Sequence, residues 1–281
     1  MAIVLITGCS SGFGKLAALA FARQGHTVFA SMRNLDKAPA LRDEARAAGL
    51  SIEIIQMDVN NTASVEKAVA TVLTRAGRID VLVNNAGIGA VAALEDFDDD
   101  EILRVFETNL FGAIRVTRAV TPHMRARKSG RLVHVGSLAA VVPAQFRGVY
   151  AASKSALAAL SDSLFYELHP WNIHSCVVEP GFFETAIGDN RMRTRRQDAS
   201  DYAPLLDAYE GGASSAPVGS ERAAPAPVAD VIVQAATEAS PRRHYLVGKD
   251  AEALSALKAR LPDDEFAKVV LRTMPALDEN Q

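Results

Sequence analysis

Short, largely apolar runs separated by longer amphipathic stretches set the rhythm of the first two thirds of the chain. The runs fall at Ile3–Thr7, Thr27–Ser31, Ile52–Met57, Val81–Asn84, Arg131–Gly136 and His174–Val178. They are continuous in Val, Ile and Leu rather than alternating, the pattern of strands covered by helices on both faces. Helical periodicity fills the intervals, as in Gly14–Gln24, Ser64–Arg75, Glu101–Met124 and Tyr150–Leu168. Such alternation predicts right-handed βαβ crossovers and an α/β fold with a doubly wound parallel sheet. A further helix at Val228–Ala239, a last strand at His244–Val247 and charged, helix-prone residues complete the chain. The reading is one domain of 281 residues.

The rhythm breaks between Gly188 and Pro227. A basic cluster (Arg191, Arg193, Arg195, Arg196) opens this stretch, and a small, polar, Pro-containing run from Gly211 to Pro227 closes it. It is too long for an ordinary connection and predicts a lid, a short helical excursion, or both. The cluster is compatible with a solvated lid face or with recognition of an anionic substrate.

Chemistry-bearing residues gather where strands end. A doubly wound sheet binds ligands beyond the carboxyl ends of its strands, and Gly8, Asn85, Ser137 and Pro180 all follow strands there. The first turn reads Thr7-Gly8-Cys9-Ser10-Ser11-Gly12-Phe13-Gly14. Gly8 allows a sharp turn off the strand, and Gly12 and Gly14 let backbone approach a pyrophosphate. The helix starting near Gly14 then turns free N–H groups and a positive dipole end toward that anion. The glycine spacing departs from the general dinucleotide fingerprint, but the physics is shared. Downstream, Tyr150 and Lys154 lie four apart on one helix face, and Ser137 ends a strand at the same rim.

In this order and spacing, these residues resemble the short-chain dehydrogenase/reductase family, from Ile3 to about Ile187 and again, weakly, after Val228. The resemblance implies a Rossmann-like fold, a nicotinamide cofactor and hydride transfer to or from a carbonyl or alcohol. Within it, Tyr150 is the general acid/base. A free tyrosine titrates near pH 10, and lowering that by about three units takes about 4 kcal/mol, within reach of an ammonium and a nicotinium cation in a partly dry cleft. Lys154 also holds the nicotinamide ribose, Ser137 orients the substrate oxygen, and Asn109 sits at a helix kink and anchors a relay water. Ser10, Ser11 and Phe13 belong to the cofactor turn. Asp58-Val59 matches the adenine-contacting pair. Asn84-Asn85-Ala86-Gly87 matches the element that braces the sheet and lines the cofactor cleft. Pro180-Gly181, with Phe183 and Thr185 beyond, matches the element at the nicotinamide end.

At the end of the second strand, Met32 stands where NAD-dependent relatives carry an acid, and Arg33 follows it. A guanidinium suits a ribose 2′-phosphate, and Ser11 is placed to donate to the same group, so NADP(H) is expected over NAD(H). Asp36 nearby keeps NAD open. Val141, Val142, Pro143, Phe146, Val149, Phe182, Phe183 and Ile187 suggest a pocket for a hydrophobic ketone or secondary alcohol. The glycine turn and Pro170-Trp171-Asn172-Ile173 are similar to the hydroxysteroid and retinol dehydrogenase-like branch. The family's usual pairing through its two long helices implies a homo-oligomer.

Composition removes other classes. A net charge of −3 argues against a nucleic-acid backbone binder. The two cysteines, Cys9 and Cys176, read as reduced core thiols, and no spaced ligand set suggests a metal. The first apolar run is too short for a signal peptide or membrane span, which points to the cytoplasm. Ser137 lies in Val-Gly-Ser-Leu-Ala, not in a nucleophile elbow. The readings outside reductase chemistry are an NADP-sensing binding protein and an interaction scaffold.

Overall fold

The computed structural model describes residues 1–184, 191–192, 194–195, 200–211 and 223–272. Seven parallel strands form one sheet: β1 (Ile3–Ile6), β2 (Thr27–Met32), β3 (Glu53–Gln56), β4 (Val81–Asn84), β5 (Gly130–Val135), β6 (Ile173–Pro180) and β7 (His244–Val247). Their order is β3-β2-β1-β4-β5-β6-β7. The connection reverses between β1 and β4, so the cleft a ligand would use opens above those two strands. This is the Rossmann-like α/β fold expected from the apolar runs.

Every strand faces helices on both sides, and β1 shows why its sequence is uniformly apolar. Val4 and Ile6 pack into the layer of α1 (Gly12–Arg23), α2 (Ala38–Ala47) and α8 (Ala226–Thr237). Ile3 and Leu5 pack into the opposite layer, with α3 (Thr62–Ala76) and α5 (Gly112–Arg127). Successive side chains alternate faces, and both faces are dry. Cys9 and Cys176 are buried and free; burial pushes the Cys9 thiol far up and that of Cys176 up to about 12, so both are inert.

Several boundaries differ from the sequence expectation. The first helix starts at Gly12, two residues before Gly14, with Ser11 at its N-cap. The long helix expected over 101–124 is two helices, α4 (Asp99–Phe106) and α5, joined by a wide π turn at Glu107–Phe111. Such single-turn widenings mark functional sites, and Asn109 lies inside this one. The sequence reading did not single out α2, whose charged face (Arg42, Asp43, Glu44, Arg46) masks three buried positions, Ala38, Leu41 and Ala45.

Around the 188–227 stretch the described residues include α7 (Ala203–Gly211) and two isolated bridges, Ala90 to Met192 and Phe183 to Ala223. After α6 (Gly148–Leu168) and β7, the chain ends its described part with α9 (Lys249–Arg260) and α10 (Asp263–Leu271), which pack on the loop following β5. Among the described residues, no helix is long and apolar enough to cross a membrane.

Candidate active site

A cavity of about 610 Å³ runs along the carboxyl ends of β1, β2, β4, β5 and β6. Its first half is built on the glycine turn. Gly8 and Gly12 both adopt left-handed backbone angles (φ +73° and +56°), which a β-carbon would strain. The turn is held from below by Asn85, whose Nδ2 donates to the carbonyls of Thr7 (2.8 Å) and Gly8 (3.1 Å). Thr7 answers by accepting the Asn85 and Ala86 N–H groups on its hydroxyl, each at 3.0 Å. Gly8, Ser10, Ser11, Gly12, Phe13, Asn85, Ala86 and Gly87 all line the cavity.

Gly14, expected to let backbone approach a pyrophosphate, lies just behind the cavity wall. A β-carbon there would run into the Asn85 amide and lie 2.6 Å from the Gly8 carbonyl. Its bareness serves the contact between helix and sheet.

At the far end of β2, Arg33 and Lys37 both line the cavity and make no ion pair among the described residues; Asp36 is not on its wall. Lys37 escaped the sequence reading because it lies one helical turn beyond the strand. Asp58 and Val59 line the same end. The Asp58 carboxylate also closes a turn by accepting the Asn60 N–H at 3.0 Å, while the cap of α3 is Asn61 rather than Asp58.

The second half of the cavity brings Ser137, Tyr150 and Lys154 together. α6 projects Tyr150 and Lys154 from one face, and both are buried. The Lys154 ammonium lies 5.9 Å from the centre of the Tyr150 ring and donates to the Val135 carbonyl at 2.8 Å. Burial lowers its pKa, and the nearby tyrosine counteracts part of that. Ser137 lines the cavity above β5, its hydroxyl accepting the Ala139 N–H at 3.1 Å.

Asn109 lies off the cavity wall, with both amide hydrogens and one lone pair of its oxygen engaged by protein. Its Oδ1 accepts the Ile88 N–H (2.8 Å), while Nδ2 donates to the Ile88 carbonyl and to Ser153 Oγ, both at 3.0 Å. Ser153 in turn donates to the Tyr150 carbonyl at 2.7 Å. The π turn is thus tied to the helix that bears Tyr150, through a serine that sequence reasoning missed.

Pro180, Gly181, Phe182 and Phe183 close the cavity beyond β6. They are pinned from α9: Asp250 accepts the Phe182 N–H at 2.7 Å and fills the space where a Gly181 side chain would stand. Phe13 and Phe183 meet edge to face at 6.0 Å, joining the glycine turn to this loop. Thr185 and Ile187 lie outside the described residues.

The expected apolar wall is half right. Val142, Pro143, Phe182 and Phe183 line the cavity, whereas Val141, Phe146 and Val149 do not. Phe146 turns away into a cluster with Val91, Ala93, Leu206 and Tyr209, Val149 packs behind Tyr150, and Val141 packs against the C-terminal helices. Their place is taken by Leu254, Leu257, Val269 and Val270 from α9 and α10, together with Val91 and Tyr209. These residues are far apart in sequence and carry no motif. Among the described residues no cluster of ligating side chains could hold a metal.

Beneath the site His134 of β5 is fully buried beside Asn84 of β4, their side chains 3.4 Å apart. Asn84 donates to Thr117 Oγ1 at 2.9 Å. Burial and the Lys154 charge lower the His134 pKa to about 4, so the ring is neutral at physiological pH.

The family model for short chain dehydrogenases matches residues 2–196, and the chain belongs to that family. A 3-ketodihydrosphingosine reductase of Bacteroides thetaiotaomicron is 38% identical over 193 residues, 67% of this chain and 66% of that one, just under two thirds of its length. Human 17-beta-hydroxysteroid dehydrogenase type 1 is 35% identical over 277 residues, 95% of this chain and 83% of that one. A short-chain dehydrogenase from Streptomyces avermitilis superposes with a TM-score of 0.79 at 33% identity, covering 97% of this chain and 98% of that one. Three further solved structures of the same fold, between 26% and 29% identical, contain NADP or NADPH. The chain is therefore an oxidoreductase of the kind that acts on CH–OH or C=O groups.

Proposed function

We propose that this protein is an NADPH-dependent reductase of hydrophobic ketones, able to run in reverse on secondary alcohols. The cavity fits a nicotinamide dinucleotide at its first half: the glycine turn leaves room for a pyrophosphate at the N-terminus of α1, whose first N–H groups lack intrahelical partners. The observation that carries the choice of NADP is the pair Arg33 and Lys37 on the wall where the adenine ribose would lie, with Asp36 off it. Two cations there suit a 2′-phosphate, where an NAD site carries an acid for the ribose hydroxyl.

Bound cofactor supplies the hydride. The chain's residues supply the rest. Tyr150 gives the carbonyl oxygen its proton, and Ser137 holds that oxygen with its free hydroxyl hydrogen. Lys154, anchored on Val135, lends positive charge that favours the phenolate and reaches the ribose. With the Asn109 amide committed to Ile88 and Ser153, we assign any relay water to the main chain of the π turn; the side chain acts as a positioning group for Tyr150. The apolar wall from α9 and α10 excludes water and selects a hydrophobic substrate. A cytoplasmic location and a homo-oligomer paired through α5 and α6 complete the reading.

Fluorescence titrations with NADPH and NADH, followed by NADPH oxidation against a panel of hydrophobic ketones, test the proposal. Tight NADPH binding with ketone turnover is the expected result. Binding without turnover on any ketone would favour a cofactor-sensing protein, and no binding of either nucleotide would overturn the assignment.

A further inference from the structure

The arginines that the sequence offers to an anionic substrate are largely spent elsewhere. Arg191 pairs with Glu210 at 2.6 Å, and Arg195 reaches Asp98 and Glu101 at 3.5 and 3.6 Å; Arg193 and Arg196 lie outside the described residues. Arg147 is the contrasting case. It lies on the cavity wall three residues before Tyr150, and among the described residues it forms no ion pair and its buried Nε has no hydrogen-bond partner. Its guanidinium carbon stands 5.0 Å from the centre of the Tyr150 ring and 6.0 Å from that of Phe182.

We infer that Arg147 selects the substrate, and that the cavity takes hydrophobic carbonyl compounds carrying a carboxylate next to the reducible carbon: α-oxo acids with an apolar tail. This rests on the reductase reading and narrows its substrate class. Three features support it. A buried Nε–H without an acceptor costs free energy, which a turn of the guanidinium toward an anion in the cavity recovers. Two aromatic rings flank the guanidinium without taking up its N–H donors, and the edge of a guanidinium matches a carboxylate in bidentate fashion. Arg147 and Tyr150 share the cavity wall with the guanidinium carbon 5.0 Å from the ring centre, so an anion held by Arg147 sits beside the carbonyl that Tyr150 would protonate. The tail then extends along Phe182, Leu254 and Leu257. Reduction yields the α-hydroxy acid, with the hydride from NADPH, the proton from Tyr150 and the carboxylate unchanged.

Benzylpyruvate, its ethyl ester and benzylacetone share one tail and differ in the group beside the carbonyl. On the full-length protein, the wild type should prefer the acid to the ester in kcat/KM. In Arg147→Gln, kcat/KM should fall about thirtyfold more for the acid than for the ester, the size of one charge-assisted contact. Arg147→Lys should recover part of the loss as a point charge. Calorimetry of the acid and the ester, with and without NADP+, reads binding independently of turnover. Equal losses on all three substrates would place Arg147 in the service of Tyr150 acidity and overturn the inference, as would a wild type indifferent to the carboxylate. Ester turnover without acid binding would sink this inference while sparing the reductase reading. Acid binding through Arg147 without turnover of any probe would do the reverse.

Discussion

The two halves of the cavity are built by opposite means. The proposed cofactor half is made largely of backbone: a glycine turn, three short loops after strands, and an asparagine that clamps two carbonyls, with Arg33 and Lys37 at its far end. Its shape depends on which residues lack a side chain. The substrate half is made of side chains from the loop after β5, the turn after β6 and the helices α7, α9 and α10. Backbone recognition needs few residues at fixed local spacing, so it leaves a motif. A packed wall needs only volume and apolarity, which many sequences supply, so it leaves none. One scaffold can thus keep its cofactor while its substrate changes.

Four changes bear on that contrast. Tyr150→Phe should lower kcat by about three orders of magnitude, the range of a lost general acid, with NADPH affinity nearly intact. Near-normal turnover would remove the proton-transfer role. Gly14→Ala breaks the cofactor half from behind the wall: the new methyl meets Asn85 and the Gly8 carbonyl, and a rigid backbone contact cannot yield. A destabilisation of about 2–3 kcal/mol, seen in urea unfolding, should come with weakened binding of both nucleotides. If only binding suffered, Gly14 would face the cofactor after all.

The seam between the halves is open to test through His134. Its pKa of about 4 lies below the ordinary 6.5, so the unfolded chain binds a proton that the folded one refuses. Stability is therefore full above about pH 6.5 and falls as pH drops toward 4, by about 2 kcal/mol at pH 5. His134→Asn should flatten that fall. An unchanged slope would mean that the ring is solvated. His244 acts in the opposite sense: Glu179 and Asp162, 2.9 and 3.1 Å from its two nitrogens, raise its pKa, so its contribution is present at low pH and is lost as pH rises through the raised value. The smallest expected effect is Arg33→Ala, which should weaken NADPH about tenfold and NADH hardly at all, in paired fluorescence titrations. Equal losses would remove the 2′-phosphate argument, and no loss would pass the role to Lys37.

What was legible in the sequence follows the same line. The apolar runs foretold the seven strands, because strands buried on both faces tolerate little but Val, Ile and Leu. Tyr150, Lys154 and Ser137 were legible because the spacing of four on a helix and the position after a strand are local geometry. The π turn was half legible: Asn109 stood out as a poor helix former, but the turn exists because its amide finds Ile88 and Ser153, which no local rule announces. Phe146, apolar and close to Tyr150, sits behind the cavity wall at a left-handed backbone angle (φ +60°) that local sequence does not signal.

By itself, then, the sequence determined the layered sheet, the glycine turn and the order of the reactive residues, all properties of neighbours along the chain. The tertiary structure decided what those neighbours face. It set Gly14 against Asn85 and buried Lys154 on Val135. It brought Asp250 under Gly181 and closed the substrate wall with helices about a hundred residues beyond Tyr150. The reason is physical: strand and helix patterns come from short-range backbone geometry, whereas a pocket is the space left when distant side chains pack, and only the completed packing defines that space.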